Sequence, residues 1–296
     1  MRENVAVVGT GRMGGAIAKA LHRGGFAPIL YNRTFGRAVA VAAEIDSAWV
    51  VDTAGEAALA AEVVISMLAD DDAVRSVYAD LARAARPENV FVDMSTVMPA
   101  TIREVAPAIR AAGARVLDAP VSGSTALAES GQLTLMVGGD AADLERARHV
   151  LEPLAKAIFH LGPLGSGAAM KLAVNAVIFG LNNAIAEGLV LAEAAGIERV
   201  IAYDVLAASA VGAPFVSYKR AAFLEPATTP VAFSLELAEK DLRLITSLAD
   251  ELGVSMPQAA TNLALIRDAA ATGGSSRDFS AVAIYLRAAQ REGTPT

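Results

Sequence analysis

Along the first half of the chain, short and almost wholly apolar runs alternate with segments whose apolar residues recur at helical spacing. Asn4–Val8, residues 28–31, Val63–Ser66 and Val90–Asp93 are too short for packed helices and too apolar to face water. That is the pattern of parallel strands buried on both faces. Runs leading into Pro120, at 134–137 and at 157–161 read as later strands. Between them, Ala16, Ile17, Ala20 and Leu21 mark one helix, and Asp70-Asp71-Asp72 opens another, where the helix dipole favours acids. Further helices begin near Pro99 and at Asp140, the latter reaching about residue 155. After Gly162-Pro163 only helical patterns remain, at 168–195, 199–209, 215–222, 234–252, 257–271 and 279–291. The pattern predicts an α/β domain over 1–163 and an all-α domain without strands over 164–296. The first helix of the second part is free of proline and about 40 Å long at ~1.5 Å per residue, and is expected to join the two.

Composition narrows the function classes. The 296 residues are 54% hydrophobic and only 19% charged, enough for a large core, and the net charge of −7 argues against nucleic-acid binding. There is no cysteine, so disulfide and thiolate chemistry are excluded. His22, His149 and His160 lie far apart in sequence, and the acidic runs lack ligand spacing, so no metal site is expected. The N-terminal residues have no signal-peptide layout, and asparagines interrupt the most apolar helix. A cytoplasmic protein with no membrane span is the expectation. The tail Gly293–Thr296 is expected to fray.

Candidate chemistry gathers at the strand ends. Gly9-Thr10-Gly11-Arg12-Met13-Gly14 fits G-x-G-x-x-G between a strand and a helix, the context in which that motif binds a dinucleotide. Gly9 permits the turn, Gly11 lets a pyrophosphate approach the backbone, and Gly14 lets helix and strand pack closely. The next strand ends in Asn32-Arg33-Thr34, with no carboxylate for a ribose 2′-hydroxyl. Arg33, helped by Asn32, Thr34 and Arg37, suits a 2′-phosphate, so NADP(H) is expected over NAD(H), which stays possible. Ser66, Met67, Leu68, Ser95 and Thr96 fall at later strand ends, where the ligand crevice of a doubly wound sheet lies. Thr96 fits a hydroxyl near the nicotinamide or a helix cap equally well. Ser122-Gly123-Ser124 fits a carboxylate-binding turn or a plain one.

Lys171 and Asn175 share one face of the long helix, and Asn182 extends the stripe. A lysine in so apolar a helix is either a proton-transfer group, its pKa lowered by burial, or a side chain that snorkels to water. Lys240 and Asp241 on a later helix read, taken alone, as a solvated charge-paired face.

Taken together these stretches resemble the β-hydroxyacid dehydrogenase family across nearly the whole chain. Gly9–Gly14, Asp93-Met-Ser-Thr96, Asp118-Ala-Pro-Val-Ser-Gly123, Gly131-Gln-Leu133, Lys171 with Asn175, and Lys240-Asp-Leu242 carry the likeness. Within that family the glyoxylate and succinic semialdehyde reductases are most similar, through Asn32-Arg-Thr34, Ser122-Gly-Ser124, Lys171-Leu-Ala-Val-Asn175, Ser255-Met-Pro257 and Asp278-Phe-Ser-Ala-Val282. Ser124 and Val174 depart from the Gly and Asn that many members carry there. The resemblance implies a Rossmann domain followed by an all-helical domain, as in 6-phosphogluconate dehydrogenase. It implies NADPH-dependent reduction of a small carboxylated aldehyde to the hydroxyacid, with Lys171 as general acid/base. Asn175 would hold the substrate or the lysine, and Ser122, Gly123 and Ser124 would bind substrate oxygens. Thr96 and Lys240 would touch the cofactor, while Phe233 and Asp241 would close the cleft. A homodimer or homotetramer is expected. The alternatives are an imine reductase on the same scaffold, whose members usually lack the lysine, and a non-catalytic NADP(H)-binding sensor.

Overall fold

The computed structural model describes residues 2–272 and 274–292, so the tail Gly293–Thr296 lies outside the described residues. Two compact units divide the chain, Met1–Lys171 and Leu172–Thr296. In the first, β1 (Asn4–Val8), α1 (Arg12–Arg23), β2 (Ala27–Tyr31), α2 (Phe35–Ala42), β3 (Trp49–Val50) and α3 (Ala54–Ala60) form one half. The other half is β4 (Val63–Ser66), α4 (Asp71–Ala84), β5 (Val90–Asp93), α5 (Pro99–Ala111) and β6 (Arg115–Asp118). All six strands are parallel, in the order β3-β2-β1-β4-β5-β6. The order reverses between β1 and β4, which opens a crevice at their carboxyl ends.

The apolar runs are buried on both faces, as their composition requires. Val5 and Val7 join one core with Ile17 and Leu21 of α1 and Ala38 of α2. Ala6 and Val8 point the other way and join Ala57 of α3, Tyr78 of α4 and Ile102 of α5.

A smaller sheet follows, with β7 (Val121–Ser122), α6 (Thr125–Glu129), β8 (Leu133–Val137), α7 (Ala141–Leu151) and β9 (Ala155–His160). Val121 and Ser122, read from sequence as part of a turn, instead pair antiparallel with Leu135 and Thr134. The helix expected to reach about residue 155 ends at Leu151 and tightens into a 3-10 turn, Glu152–Leu154, since Pro153 has no N–H to continue it.

Helix α8 (Ser166–Ala194) begins in the first unit and runs into the second. The second unit adds α9 (Arg199–Ala208), α10 (Pro214–Leu224), α11 (Leu235–Leu252), α12 (Pro257–Ala271) and α13 (Val282–Glu292). Gly253, in the left-handed region at φ +68°, ends α11. Phe279 is the hub of the core, its ring centroid 5.7 Å from those of Phe179 and Phe233 and 5.9 Å from that of Phe215. Phe279–Ala281 forms a 3-10 turn ahead of α13, where one continuous helix was expected, because the Asp278 side chain accepts from Ser280 N. An isolated β-bridge, Ser234 with Asp278, interrupts the expected absence of strand pairing. By length and composition α8 is apolar enough to cross a bilayer. Its amides Asn182 and Asn183 are buried and bonded within the second unit, to Phe279 O and to Asn262 Oδ1. That is the character of a core helix.

Candidate active site

The Gly-rich loop separates packing from ligand binding. Gly9 lies at φ +99°, and a Cβ there would come within 2.3 Å of Met67 O. A Cβ on Gly14 would sit 1.9 Å from Gly9 O. Both glycines are demanded by the fold itself. At Gly11 a Cβ would meet nothing within 4 Å, so open space, and no protein neighbour, stands where the motif expects a pyrophosphate. Gly11 is also the N-cap of α1, and no side chain caps that end. Its first-turn N–H groups and the positive end of the helix dipole therefore suit an anion. The buried Thr10 Oγ1, without a hydrogen-bond partner, adds an unused polar group. These features fit a dinucleotide. Gly11→Ala is expected to keep the melting temperature and weaken NADPH binding about tenfold, whereas Gly14→Ala destabilises by about 1–3 kcal/mol or more through overpacking. Fluorescence titration and thermal melts read the two effects separately, and unaltered affinity in Gly11→Ala contradicts the assignment.

At the end of β2, Asn32 is already committed. Its Oδ1 accepts from Thr10 N at 3.1 Å and its Nδ2 donates to Thr34 O at 3.0 Å. Thr34 is the N-cap of α2, but its side chain makes no capping bond. Arg12, Arg33 and Arg37 are exposed and form no ion pair among the described residues. The end of β2 and the first turns of α1 and α2 thus carry exposed positive charge.

The ends of β4, β5 and β6 carry polar side chains in register, Ser66 beside Asp93 and Asp93 beside Asp118. Asp93 accepts from Ser66 Oγ at 2.5 Å and from Ser95 N at 3.0 Å. Burial pushes its pKa up to about 6, against the bonds from Ser66 and Ser95. Ser95, placed with the cofactor by sequence, turns inward to Asp93 and accepts from Leu68 N at 2.9 Å. Met67, Leu68 and Thr96 are half-buried.

Asp118, singled out only within a motif, anchors the start of α8. Its two oxygens accept from Gly165 N and Ala168 N, each at 2.7 Å. Burial raises its pKa even so. A Cβ on Gly167 would lie 2.2 Å from Met136 O, so helix and strand ends touch directly. Lys171, one turn beyond Ala168, is half-buried and has a partner in the protein. Ser122 lies in β7, and Ser124 caps α6, its Oγ accepting from Leu127 N at 3.3 Å. Gly123, at φ +145°, has room for no side chain, since a Cβ would lie 2.8 Å from Leu133 Cδ2.

In the second unit, the structure brings together Asn175, Lys240 and Asp241. Asn175 Nδ2 donates to Asp241 Oδ2 at 2.8 Å, and Lys240 Nζ lies 2.8 Å from Asp241 Oδ1. Asp241 is buried, so this pair is no solvated face. Phe233 packs on Phe179, which follows Asn175 by one turn of α8, with ring centroids 6.1 Å apart.

Strand, Gly-rich loop and helix at the switch point of this sheet define a dinucleotide-binding domain of the oxidoreductase class. A family model described as the NAD binding domain of 6-phosphogluconate dehydrogenase matches residues 4–162. A second, described as NAD-binding of NADP-dependent 3-hydroxyisobutyrate dehydrogenase, matches residues 165–286. The chain belongs to the β-hydroxyacid dehydrogenase family, nicotinamide-dependent oxidoreductases that act on hydroxyl groups. It is 35% identical to glyoxylate/succinic semialdehyde reductase 1 of Arabidopsis thaliana, over 94% of this chain and 96% of that protein. It is 34% identical to NAD-dependent L-serine dehydrogenase of Pseudomonas aeruginosa, over 95% of this chain and 96% of that one. The structure of Mycobacterium tuberculosis 3-hydroxyisobutyrate dehydrogenase with L-serine superposes with a TM-score of 0.81 at 33% identity, covering 97% of this chain and 100% of that one.

Proposed function

We propose that this enzyme is an NADPH-preferring reductase of a small carboxylated aldehyde, of the glyoxylate or succinic semialdehyde kind, working reversibly on the hydroxyacid. The observation that carries the reading is a half-buried lysine held at a fixed place, one turn beyond a helix start tied down by Asp118. When bound, the dihydronicotinamide supplies the hydride that reduces the carbonyl carbon. Lys171 gives a proton to the carbonyl oxygen, so that hydride and proton together make the alcohol. In the oxidative direction the neutral amine takes the hydroxyl proton. Ser122 and the backbone around Gly123 hold the substrate carboxylate, which fixes the carbonyl and lowers the entropy cost of reaction. Ser124 contributes chiefly by ordering that turn. Asn175 acts through Asp241, steadying the helix face that bears the lysine. The 35% identity to a glyoxylate/succinic semialdehyde reductase supports the substrate class.

Cofactor preference rests on Arg33. With Asn32 tied to Thr10 and Thr34, the exposed Arg33 guanidinium is a charged group at the end of β2 that is available to meet a 2′-phosphate. A charge-assisted bond of about 1.5–3 kcal/mol predicts that Arg33→Ala loses about 10–150-fold in kcat/KM for NADPH and little for NADH. Steady-state assays with glyoxylate and succinic semialdehyde against both cofactors check this. An enzyme that prefers NADH, in the manner named for the Pseudomonas relative, overturns the cofactor reading. Tight NADPH binding with no turnover of any carboxylated aldehyde overturns the reductase reading.

A further inference from the structure

Three strand ends stand abreast at the carboxyl edge of the large sheet, and the middle one carries a carboxylate that forms no ion pair among the described residues. Asp93 is 1% exposed. Its Oδ2 accepts two hydroxyls, Ser66 Oγ at 2.5 Å and Ser95 Oγ at 3.2 Å, while Oδ1 accepts Ser95 N at 3.0 Å. Ser95 Oγ in turn accepts the Leu68 N–H at 2.9 Å. One carboxylate therefore fixes both the loop after β4 and the loop after β5. A buried acid without a cation is a costly way to fill space, and an apolar side chain packs there more cheaply. An amide is no substitute either, because its NH2 cannot accept the hydroxyl protons that Oδ2 accepts.

We propose that Asp93 is a positioning residue for the cofactor site, setting the backbones of Met67–Leu68 and Ser95–Thr96 through Ser66 and Ser95. This rests on the reading that the nicotinamide cofactor lies across these strand ends. The groups that face Asp93 are Tyr78 of α4, whose hydroxyl lies 3.1 Å from Ser66 Oγ, and Asp118 of β6. Neither supplies positive charge, and Asp118 disfavours the anion. Among the described residues the carboxylate is therefore held by the donors it organises. When it takes up a proton, Oδ2 stops being a double acceptor, and Ser95 loses the restraint that aims its Oγ at Leu68 N. Cofactor affinity then falls with pH, through the region near 6 where Asp93 titrates.

The test is fluorescence titration of NADH and NADPH into the full-length wild type, Asp93→Asn and Ser95→Ala, from about pH 8 down to about pH 5. NADH is the main probe, because the 2′-phosphate of NADPH titrates in the same range, with a pKa of about 6. At about pH 8, Asp93→Asn is expected to bind NADH about tenfold more weakly and Ser95→Ala several-fold more weakly, the scale of losing one charged hydrogen bond. The gap between wild type and Asp93→Asn closes as the pH falls through about 6, because the wild type then loses what the variant already lacks. Equal affinity at about pH 8 overturns the proposal. So does a gap that stays constant with pH, the mark of a purely structural defect. If Asp93→Asn fails to fold, Ser95→Ala keeps the carboxylate, and its unchanged affinity overturns the proposal alone. Wild type that binds the dinucleotide but reduces no aldehyde defeats the proposed function while leaving this inference standing. Wild type that binds neither dinucleotide defeats both.

Discussion

Lys171→Ala is expected to lower aldehyde reduction by about 10²–10⁴-fold and to leave NADPH affinity within about twofold. The magnitude is that of a general acid removed from a proton-transfer step. The split follows from position. Lys171 lies on α8, one turn past the Asp118 anchor, whereas the Gly-rich loop, Arg33 and the ends of β4 and β5 belong to the sheet. Arginine should not rescue the loss, since a guanidinium is far too weak an acid to give up its proton in the reaction. Lys171→Arg therefore separates proton transfer from mere positive charge near the forming alkoxide, and single-turnover rates at saturating NADPH give the cleanest comparison. Retained turnover in Lys171→Ala would return the residue to an ordinary lysine that snorkels to water. A parallel loss of NADPH binding would make it a cofactor contact.

The strands were legible because a parallel strand covered on both faces cannot hide its composition. Asn4–Val8, Val63–Ser66 and Val90–Asp93 appear in the structure with the bounds their apolar runs predict. Residues 35–61 were not resolved into elements from sequence. Helix α2 buries only Ala38, and α3 buries Ala and Gly, residues too small and too common to print a periodicity. At the candidate site, sequence gave residue types and spacing but not their commitments. Asn32 and Ser95 look like ligands in sequence, yet both spend their side chains on the protein's own backbone or carboxylate. Asp93 and Asp118 each end an apolar strand, and a carboxylate in that place was the available signal for a buried acid. Lys219 had a signal as well. It stands four residues after Phe215 and four before Phe223, on the apolar face of α10, where a solvated lysine has no place.

Lys219→Met is expected to destabilise the helical unit by about 3–5 kcal/mol, the usual result of breaking one side of a buried ion pair. Lys219 is 2% exposed, and its Nζ lies 2.6 and 2.7 Å from the two oxygens of Asp278 and 4.2 Å from the Phe279 ring centroid. Asp278 also accepts from the backbone N–H of Ala232, Phe233 and Ser280. Burial alone would raise its pKa, but the ammonium of Lys219 and the hydrogen bonds from Ser280 outweigh it and hold the carboxyl below its ordinary value. A depressed acid contributes stability above its unfolded pKa and loses it as the pH falls through the folded one. In Lys219→Met the same carboxyl stays buried without its cation, so its pKa rises and it protonates earlier. The deficit is therefore largest near neutrality and narrows in acid. Calorimetry should show a melting temperature lower by about 10 °C near neutral pH, on the scale of ~2–4 °C per kcal/mol. Replacing both partners with apolar residues should recover only part of the loss, because the N–H groups that Asp278 accepts remain to be satisfied. A Lys219→Met protein as stable as wild type at neutral pH would show that the pair contributes nothing net. A deficit that persists unchanged into acid would mean that lost packing, not the stranded carboxylate, is its cause.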